Sequence, residues 1–196
     1  MMDSIYLIPI SGRPNAGKTS LVNFLSGSKR PVGKKAGTTL KINKIPLIKN
    51  LFIVDLPGFG RITRRSKQYE DITKDKIIEF FDNSKNQFLF GIHIIDISTF
   101  HHMVMNLEKK GIIPIDIEMI NFISEKTFFP PLIIMNKIDK VNRELIEQNL
   151  SLFYSFALPE LELFQVSFRN MIGCYSLRNR IKEIIVSKMG ISYQNW

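Results

Sequence analysis

The stretch Gly12-Arg13-Pro14-Asn15-Ala16-Gly17-Lys18-Thr19-Ser20 decides the fold of this chain. It fits the pattern G-x-x-x-x-G-K-[ST], which describes a loop that wraps a phosphate, without a mismatch. Gly12 and Gly17 let the backbone approach a phosphate closely and turn sharply. The N–H groups of such a loop form an anion-binding concavity, and the following helix points its positive end at the same phosphate. We expect Lys18 to reach the β- and γ-phosphates and the Thr19 hydroxyl to bind Mg²⁺.

A phosphate loop follows a strand and opens a helix, and both neighbours of this stretch match. Residues 5–10 are an apolar run typical of a buried strand, and residues 21–25 carry an apolar helical face. Pro9 is an irregularity, because proline removes a donor from a strand ladder. The alternative, a chance glycine-rich turn, is disfavoured by these neighbours.

The length and composition predict one globular domain over residues 1–196. Hydrophobic residues make up 44% and charged residues 23%, as in ordinary soluble proteins. No apolar stretch reaches the length of a membrane span, and the start lacks the basic region of a signal peptide, so we expect a cytoplasmic monomer. The single cysteine, Cys174, fits a reducing compartment and is predicted to be structural.

The positive charge is concentrated in the first third of the chain. Residues 1–69 contain 13 Lys and Arg against two acids, whereas residues 70–196 contain 14 against 16. A basic region of this density predicts an anionic partner beyond a nucleotide, most simply RNA. A solvated basic surface without a partner is the alternative.

Two loops after the phosphate loop have the composition of nucleotide-sensing segments. In the first, residues 27–50, Thr38 and Thr39 lie among glycines and lysines, and such a threonine can complete the Mg²⁺ shell when a γ-phosphate is present. The second follows a short strand, residues 51–54, and begins Asp55-Leu56-Pro57-Gly58. An Asp at such a strand end can hold Mg²⁺, and the Gly58 N–H can face the γ-phosphate. Residues 59–68 then read as a basic loop.

The middle of the chain contains helical and strand patterns without an obvious site. Residues 69–83 have helical spacing, residues 87–95 are a strand candidate, and residues 100–126 form a helical segment broken by Gly and Pro. His93 is predicted to be a core or edge histidine. The adjacent pair His101-His102 does not face one metal ion, so no metal site is expected there.

A second specific motif, Asn136-Lys137-Ile138-Asp139, follows the strand candidate at residues 131–135. An aspartate that accepts from the ring N–H and the exocyclic amine of guanine forms a bidentate pair that adenine cannot match. We expect Asn136 to bridge towards the phosphate loop and the Lys137 stem to cover the base. A strand-end turn without a ligand is the alternative, and an ATP-dependent P-loop kinase is disfavoured by Asp139.

The remainder of the chain completes an alternating pattern. A helix over residues 142–154 and a strand over residues 161–166 are followed by Val166-Ser167-Phe168, whose N–H groups could face the guanine oxygen. A closing helix is predicted over residues 175–189. Strands that alternate with helices predict an α/β fold with a parallel sheet covered on both faces.

With its motifs in this order, the chain resembles the translation-factor-class GTPases of the TrmE–Era–EngA–EngB group, and within it the archaeal form of EngB. The resemblance covers nearly the whole chain and rests further on Asp55-Leu56-Pro57-Gly58-Phe59-Gly60, on residues 108–116 and on the short length. It implies a three-layer P-loop GTPase domain with a mostly parallel six-stranded sheet. Arg13-Pro14 resembles Era or EngA more than EngB, and Ala36 stands where the group often has Pro.

The resemblance also implies roles for individual residues. Gly12, Arg13, Pro14, Asn15, Ala16, Gly17, Lys18 and Thr19 would hold the phosphates. Gly37, Thr38, Thr39, Leu40 and Lys41 would contact the nucleotide within switch I, about 29–44, and Asp55, Leu56, Pro57 and Gly58 would do so in switch II, about 56–68. Asn136, Lys137, Ile138 and Asp139 would select guanine, with Val166, Ser167 and Phe168 behind it. Thr19, Thr39 and Asp55 would bind Mg²⁺, and Lys18, Thr39 and Gly58 would act in catalysis.

The implied activity is GTP hydrolysis in a molecular switch for large ribosomal subunit assembly, with ribosomal RNA or a subunit precursor as partner; the family is also associated with cell division and septation. Phe59 stands where Ras-like enzymes carry a water-orienting Gln, so we expect slow intrinsic turnover. In relatives, an Asn at the position of Asn15 ligates K⁺. The alternatives are a nucleotide-gated RNA clamp with negligible turnover, another Era- or EngA-like GTPase, and a protein whose basic loops bind an anionic membrane surface.

Overall fold

The computed structural model describes residues 5–31, 42–59, 67–157 and 160–189, and its centre is a six-stranded sheet. The strands are β1 (Tyr6–Gly12), β2 (Asn43–Ile48), β3 (Leu51–Asp55), β4 (Phe90–Asp96), β5 (Phe129–Asn136) and β6 (Leu163–Val166). The helices are α1 (Lys18–Ser26), α2 (Lys67–Asn83), α3 (Ile97–Glu108), α4 (Ile115–Lys126), α5 (Arg143–Tyr154) and α6 (Cys174–Met189). A single 3-10 turn, Ile138–Lys140, lies between β5 and α5.

The strand order β2-β3-β1-β4-β5-β6 places the motif-bearing strand ends side by side. All neighbours pair in parallel except β2 and β3, which are antiparallel. The carboxyl ends of the parallel strands therefore meet at one end of the sheet, where ligands of open α/β folds bind. These strands are β1, β3, β4, β5 and β6. This architecture confirms the predicted α/β fold with a mostly parallel six-stranded sheet.

The sheet is covered on both faces, as predicted. On one face, α1 and α6 pack through Leu21 and Leu177 against strand residues such as Ile8. On the other face, α2, α3, α4 and α5 pack through residues such as Phe81 and Phe100. Because side chains alternate along a strand, the single strand β1 supplies Ile8 to the first layer and Leu7 to the second.

The irregular residue Pro9 lies in the central strand β1, where proline is rare. Between the bridge Leu7↔Phe88 and the pair Ile10↔Ile92, β1 advances by three residues and its neighbour by four. This extra residue interrupts the ladder beside Pro9, so the strand tolerates the absent N–H at that point.

Element boundaries differ from the sequence predictions by a few residues. The broken segment at 100–126 is two helices, α3 and α4, separated where Gly111 adopts a φ of 64° and Pro114 precedes α4. β4 begins at Phe90, later than predicted, because of the irregular pairing at Phe88. His93 belongs to the core. Much of the two predicted switch loops, residues 32–41 and 60–66, lies outside the described residues.

No helix within the described ranges is long and apolar enough to cross a membrane.

Candidate nucleotide-binding site

The phosphate loop, residues 12–19, connects β1 to α1 and depends on both of its glycines. Gly12 has a φ of 147° and Gly17 a φ of 114°. A Cβ at Gly12 would lie 2.4 Å from the Ile94 carbonyl oxygen, and one at Gly17 would lie 2.2 Å from Asn136 Nδ2. Neither position can accept a side chain, so the cradle requires glycine at both. Asn15 adds a third left-handed backbone conformation, with a φ of 64°.

Lys18 is the first residue of α1, and its ammonium group turns back over the loop. Nζ donates to the carbonyl oxygens of Gly12 at 2.8 Å and Arg13 at 3.0 Å. Burial lowers the pKa of Lys18 to about 8, against the opposing effect of the Asp55 and Asp116 carboxylates. The site therefore holds a cation in an environment that favours the neutral form, and an incoming anion would stabilise its charge.

Asp55 ends β3 next to the phosphate loop. The strand register aligns it with Ile10, and the Leu56 N–H donates to the Ile10 carbonyl oxygen at 3.2 Å. Burial raises the pKa of the Asp55 carboxyl, while the charge of Lys18 acts in the opposite direction. Thr19 lies in the first turn of α1, directly after Lys18.

Gly58 brings the third motif onto the phosphate loop. A Cβ at Gly58 would lie 3.1 Å from both Lys18 Nζ and the Pro14 nitrogen. The next residue, Phe59, is buried, and its ring centroid lies 5.7 Å from that of His93. The Phe59 ring thus packs into the protein.

The guanine motif contacts the phosphate loop directly, as predicted for Asn136. Asn136 Nδ2 donates to the Ala16 carbonyl oxygen at 2.8 Å. Lys137 has a φ of 70°, and its Nζ donates to the Asn15 carbonyl oxygen at 2.6 Å and to Asp96 Oδ2 at 2.5 Å. Two motifs about 120 residues apart in sequence are thereby joined at the carboxyl end of the parallel strands.

Asp139 is oriented by the loop after β6. Ser167 Oγ donates to Asp139 Oδ1 at 2.7 Å and accepts from the Asn170 N–H at 3.2 Å. The Ser167 N–H donates to the Ile172 carbonyl oxygen at 2.9 Å. Of the three N–H groups predicted to face guanine, that of Ser167 is therefore already used, and those of Val166 and Phe168 are the candidate donors.

Sequence reasoning missed two groups of residues near the site. Asp96 caps α3, accepting from the Ser98 N–H at 3.1 Å, and also pairs with Lys137. Its position at the end of a strand was the available signal. The second group joins Ser11, His93 and Asp116, and no spacing in the sequence connects these three.

The other residues predicted for the site lie in several parts of the fold. Gly37, Thr38, Thr39, Leu40 and Lys41 lie outside the described residues. Ile138 lies in the 3-10 turn, and Val166 ends β6 as a buried residue. Pro57, between Leu56 and Gly58 after the end of β3, is buried. Within the described ranges, no cluster of three or more His, Cys, Asp or Glu residues has the arrangement of a metal site.

Comparisons with known proteins agree on one family. A family profile described as 50S ribosome-binding GTPase matches residues 8–137. A probable GTP-binding protein EngB of Methanococcus aeolicus is 39% identical over 142 residues, which are 72% of this chain and 62% of that protein. A probable GTP-binding protein EngB of Pyrococcus horikoshii is 31% identical over 194 residues, covering 95% of this chain and 89% of the relative.

Solved structures match as well. The crystal structure of a probable GTP-binding protein engB has a TM-score of 0.78 and 31% identity, and the match covers 93% of this chain and all of that chain. The crystal structure of NFeoB from S. thermophilus bound to GDP.AlF4- and K⁺ shares the fold. It has a TM-score of 0.55 and 21% identity, and the match covers 93% of this chain and 62% of that chain. In this chain the phosphate loop, the D-x-x-G turn and the N-K-x-D motif lie together at the carboxyl end of the parallel strands. With these motifs and the relatives above, this chain belongs to the EngB family of P-loop GTPases.

Proposed function

We propose that this chain is a single-domain switch that binds GTP with Mg²⁺, hydrolyses it slowly and acts on large ribosomal subunit precursors. The observation that carries the nucleotide assignment is the pair of hydrogen bonds from Asn136 and Lys137 to the carbonyl oxygens of Ala16 and Asn15. These bonds set the guanine motif at a fixed distance from the phosphate cradle. A guanine nucleotide has its base and its phosphates at the corresponding two ends.

The residues present fit a magnesium ion. Mg²⁺ prefers oxygen ligands, and the Thr19 hydroxyl and Asp55 carboxylate flank the start of α1, with Thr39 proposed as the third protein ligand. Burial raises the pKa of Asp55, so a divalent cation nearby would favour its charged form. When bound, Mg²⁺ would offset the negative charge of the phosphates. Lys18 would supply a second positive charge.

The position of Phe59 supports slow intrinsic turnover. Its ring is 6% exposed and packs on His93, and a phenyl ring cannot hold a water molecule by a hydrogen bond. Without a side chain here that orients the water, turnover would depend more on positive charge supplied at the transferred phosphate. Asn15 is exposed on the phosphate loop in a left-handed conformation, and an NFeoB domain of the same fold is described with K⁺ bound. We propose K⁺ at Asn15 as the source.

The turnover experiment compares GTP hydrolysis in KCl and NaCl. The wild-type protein is expected to be faster in KCl, and Asn15→Ala to lose the difference while it retains GDP binding. Asn142→Ala, an exposed amide at the start of α5, is the matched control. The same rate in both salts for the wild type would remove K⁺ from the proposal and leave an activating partner.

The ribosomal partner is supported by charge. Residues 1–69 carry a net charge of +11, and the described lysines Lys29, Lys44 and Lys49 are exposed. The family profile bears the description 50S ribosome-binding GTPase. Phosphate contacts release counterions, so affinity for RNA should fall by roughly 0.7–0.9 log units per contact for each log unit of salt.

The partner experiment is co-sedimentation with large ribosomal particles in the presence of GDP or a nonhydrolysable GTP analogue. We expect stronger binding with the analogue and reduced binding for the Arg61/Arg64/Arg65 triple alanine variant. A Lys85/Lys109/Lys110 triple alanine variant removes the same charge from exposed positions outside residues 1–69. Equal loss in both variants, or binding indifferent to nucleotide, contradicts the gated interaction.

The alternative is an RNA clamp whose cycle does not depend on its own hydrolysis, and the buried Phe59 is the observation that favours it. Turnover measured with and without ribosomal particles separates the two. A rate that stays negligible when particles saturate the protein favours the clamp.

A further inference from the structure

Three buried polar side chains form a chain across the sheet beside the phosphate loop. Ser11 Oγ lies 2.8 Å from His93 Nδ1, and Asp116 Oδ1 lies 3.1 Å from His93 Nε2. Each of the three residues has 0% exposed surface. Ser11 is the register partner of His93 on adjacent strands, and Asp116 lies in the first turn of α4. One imidazole ring therefore joins β1, β4 and α4.

The three residue types are those of the Ser-His-Asp triad of hydrolases, with the partners of the two ring nitrogens exchanged, but the location excludes that chemistry. A nucleophilic serine must meet its substrate, and Ser11 lies inside the sheet without exposed surface. Buried polar groups cost stability unless they are bonded, and apolar side chains would fill this space without that cost. The three hydrogen-bonded residues Ser11, His93 and Asp116 must therefore have a role other than nucleophilic catalysis.

The hydrogen bonds fix the orientation of the His93 ring. When Nε2 carries the ring proton, it donates to Asp116 Oδ1, and Nδ1 accepts from the Ser11 hydroxyl, whose Oγ also lies 3.4 Å from the Ile92 carbonyl oxygen. Both ring nitrogens are used, so the imidazole cannot flip or tilt without breaking a bond. A ring held in this way offers a rigid face to whatever packs on it.

The group that packs on this face is Phe59. The two ring centroids lie 5.7 Å apart with an angle of 39° between the planes, a geometry that stabilises aromatic pairs. Phe59 directly follows Gly58, whose Cβ position lies 3.1 Å from Lys18 Nζ and from the Pro14 nitrogen. The His93 ring thus contacts Phe59, which is the next residue after the glycine that lies against the phosphate loop.

We propose that the Ser11–His93–Asp116 chain positions Phe59, and through it Gly58, so that His93 is a positioning residue for recognition of the γ-phosphate. The inference rests on the proposed role of Gly58. The carboxylate of Asp116 also acts on the site directly, because its charge favours the protonated form of Lys18. Its second oxygen, Oδ2, is buried without a hydrogen-bond partner among the described residues.

The first test compares the nucleotide affinities and turnover of wild type and His93→Gln. Glutamine retains an N–H that can reach Asp116 but offers no ring to Phe59. We expect the affinity for a nonhydrolysable GTP analogue and kcat each to fall about tenfold, because a misplaced Gly58 N–H would lose its hydrogen bond to the charged γ-phosphate, and such a bond is worth about that factor. The GDP affinity should stay within about twofold, because GDP has no γ-phosphate. Asn149→Ala removes a buried amide on α5 and is the control for loss of a buried polar group.

A double-mutant cycle with Phe59→Leu then tests the route. If His93 acts through Phe59, the double variant should lose no more analogue affinity than the worse single variant. Additive losses, or equal losses of GDP and analogue affinity in His93→Gln, contradict the positioning role. Failure of the wild-type protein to bind either nucleotide would instead overturn the proposed function itself.

The second test needs no substitution. The chain has three histidines, and the other two, His101 and His102, lie in α3. In ring-nitrogen NMR spectra, the His93 signals should move between the GDP and GTP-analogue states, whereas those of His101 and His102 should stay in place. Identical His93 signals in the two states would contradict the positioning role and show that the hydrogen bonds of Ser11, His93 and Asp116 are structural only.

Discussion

The proposed phosphate end of the site is made mostly of backbone from one short stretch, whereas the proposed guanine end is made of side chains from distant segments. Gly12 and Gly17 shape the first end, and Lys18 Nζ donates to two carbonyl oxygens of the same loop. At the other end, Asp139 is oriented by Ser167, and Asn136 reaches across to Ala16. The phosphate cradle is therefore specified locally, and the base pocket only after the sheet has formed.

This difference teaches where each end is vulnerable. A change within residues 12–19 should remove phosphate binding and leave the guanine pocket assembled. A change at Asn136 should affect both ends, because its side chain is the link between them. Five experiments test this comparison.

The largest expected effect is that of Lys18→Ala on nucleotide binding. Two bonds to the charged β- and γ-phosphates, at roughly 1.5–3 kcal/mol each, correspond to a loss of at least about 100-fold in affinity for a nonhydrolysable GTP analogue. Isothermal titration calorimetry measures it, with the exposed Lys140→Ala as the matched control. A loss of less than about threefold would show that the phosphate end does not depend on this charge.

Asp139→Asn should change the preference of the guanine end. Replacing the carboxylate removes the bidentate pair with guanine, and the new amide can donate to the 2-oxo group of xanthine. We expect about 2–3 kcal/mol weaker GDP binding and a gain for xanthosine diphosphate, measured by competition. Equal binding of ATP and GTP by the wild type would contradict the guanine assignment.

Asn136→Ala tests the link between the two ends. The variant loses its bond to the Ala16 carbonyl oxygen, which should lower the free energy of unfolding by about 1–2 kcal/mol in urea. GDP affinity should fall about fivefold or more, because the loop is no longer held. Asn142→Ala removes the cap of α5, with a similar loss of stability, and should keep GDP affinity. Normal GDP affinity in Asn136→Ala would mean that the ends are independent.

The pKa of Lys18 predicts how GDP binding depends on pH. In the free protein that pKa is about 8, and bound phosphate would keep the ammonium charged, so binding takes up a proton above pH 8. The Kd for GDP should be flat below pH 8 and rise about tenfold by pH 9. Because the folded pKa lies below the unfolded value, the unfolding free energy of the nucleotide-free protein should rise from pH 8 upwards. Lys18→Arg should remove both trends, since a guanidinium stays charged; persistence of the slope would assign it to another group.

The smallest effect is expected for an exposed ion pair away from both ends. Arg143 Nε lies 2.9 Å from Glu147 Oε1 on α5, and the Arg143 side chain is 93% exposed. Arg143→Ala should cost about 0.3 kcal/mol, or about 1 °C in Tm by calorimetry, without a change in GDP affinity. This variant sets the baseline against which Asn136→Ala is compared. A shift of several degrees would show that α5 supports the guanine end more than its contacts indicate.

Sequence reasoning predicted most of the fold, and the structure brings the two motifs it singled out into contact. Each motif could be identified because it depends on local chemistry. Gly17 could be identified as a loop glycine from spacing alone, yet the neighbour that excludes a side chain there, Asn136, lies far away in sequence. The bridge from Asn136 to the phosphate loop was predicted and confirmed. The contacts of Ser11, His93 and Asp116 could not be predicted, because strand register and helix placement are non-local properties.

The two edges of the sheet have a consequence for how the molecule meets other chains. The edge strand β2 contains Pro46 and a register irregularity between Pro46 and Ile48, and the opposite edge, β6, has only four residues. Interrupted or very short edges are poor templates for strand addition, which protects a sheet from pairing with itself. Crowded nascent copies should therefore resist edge-to-edge aggregation. Any lasting partner must engage the loops and helices instead of extending the sheet.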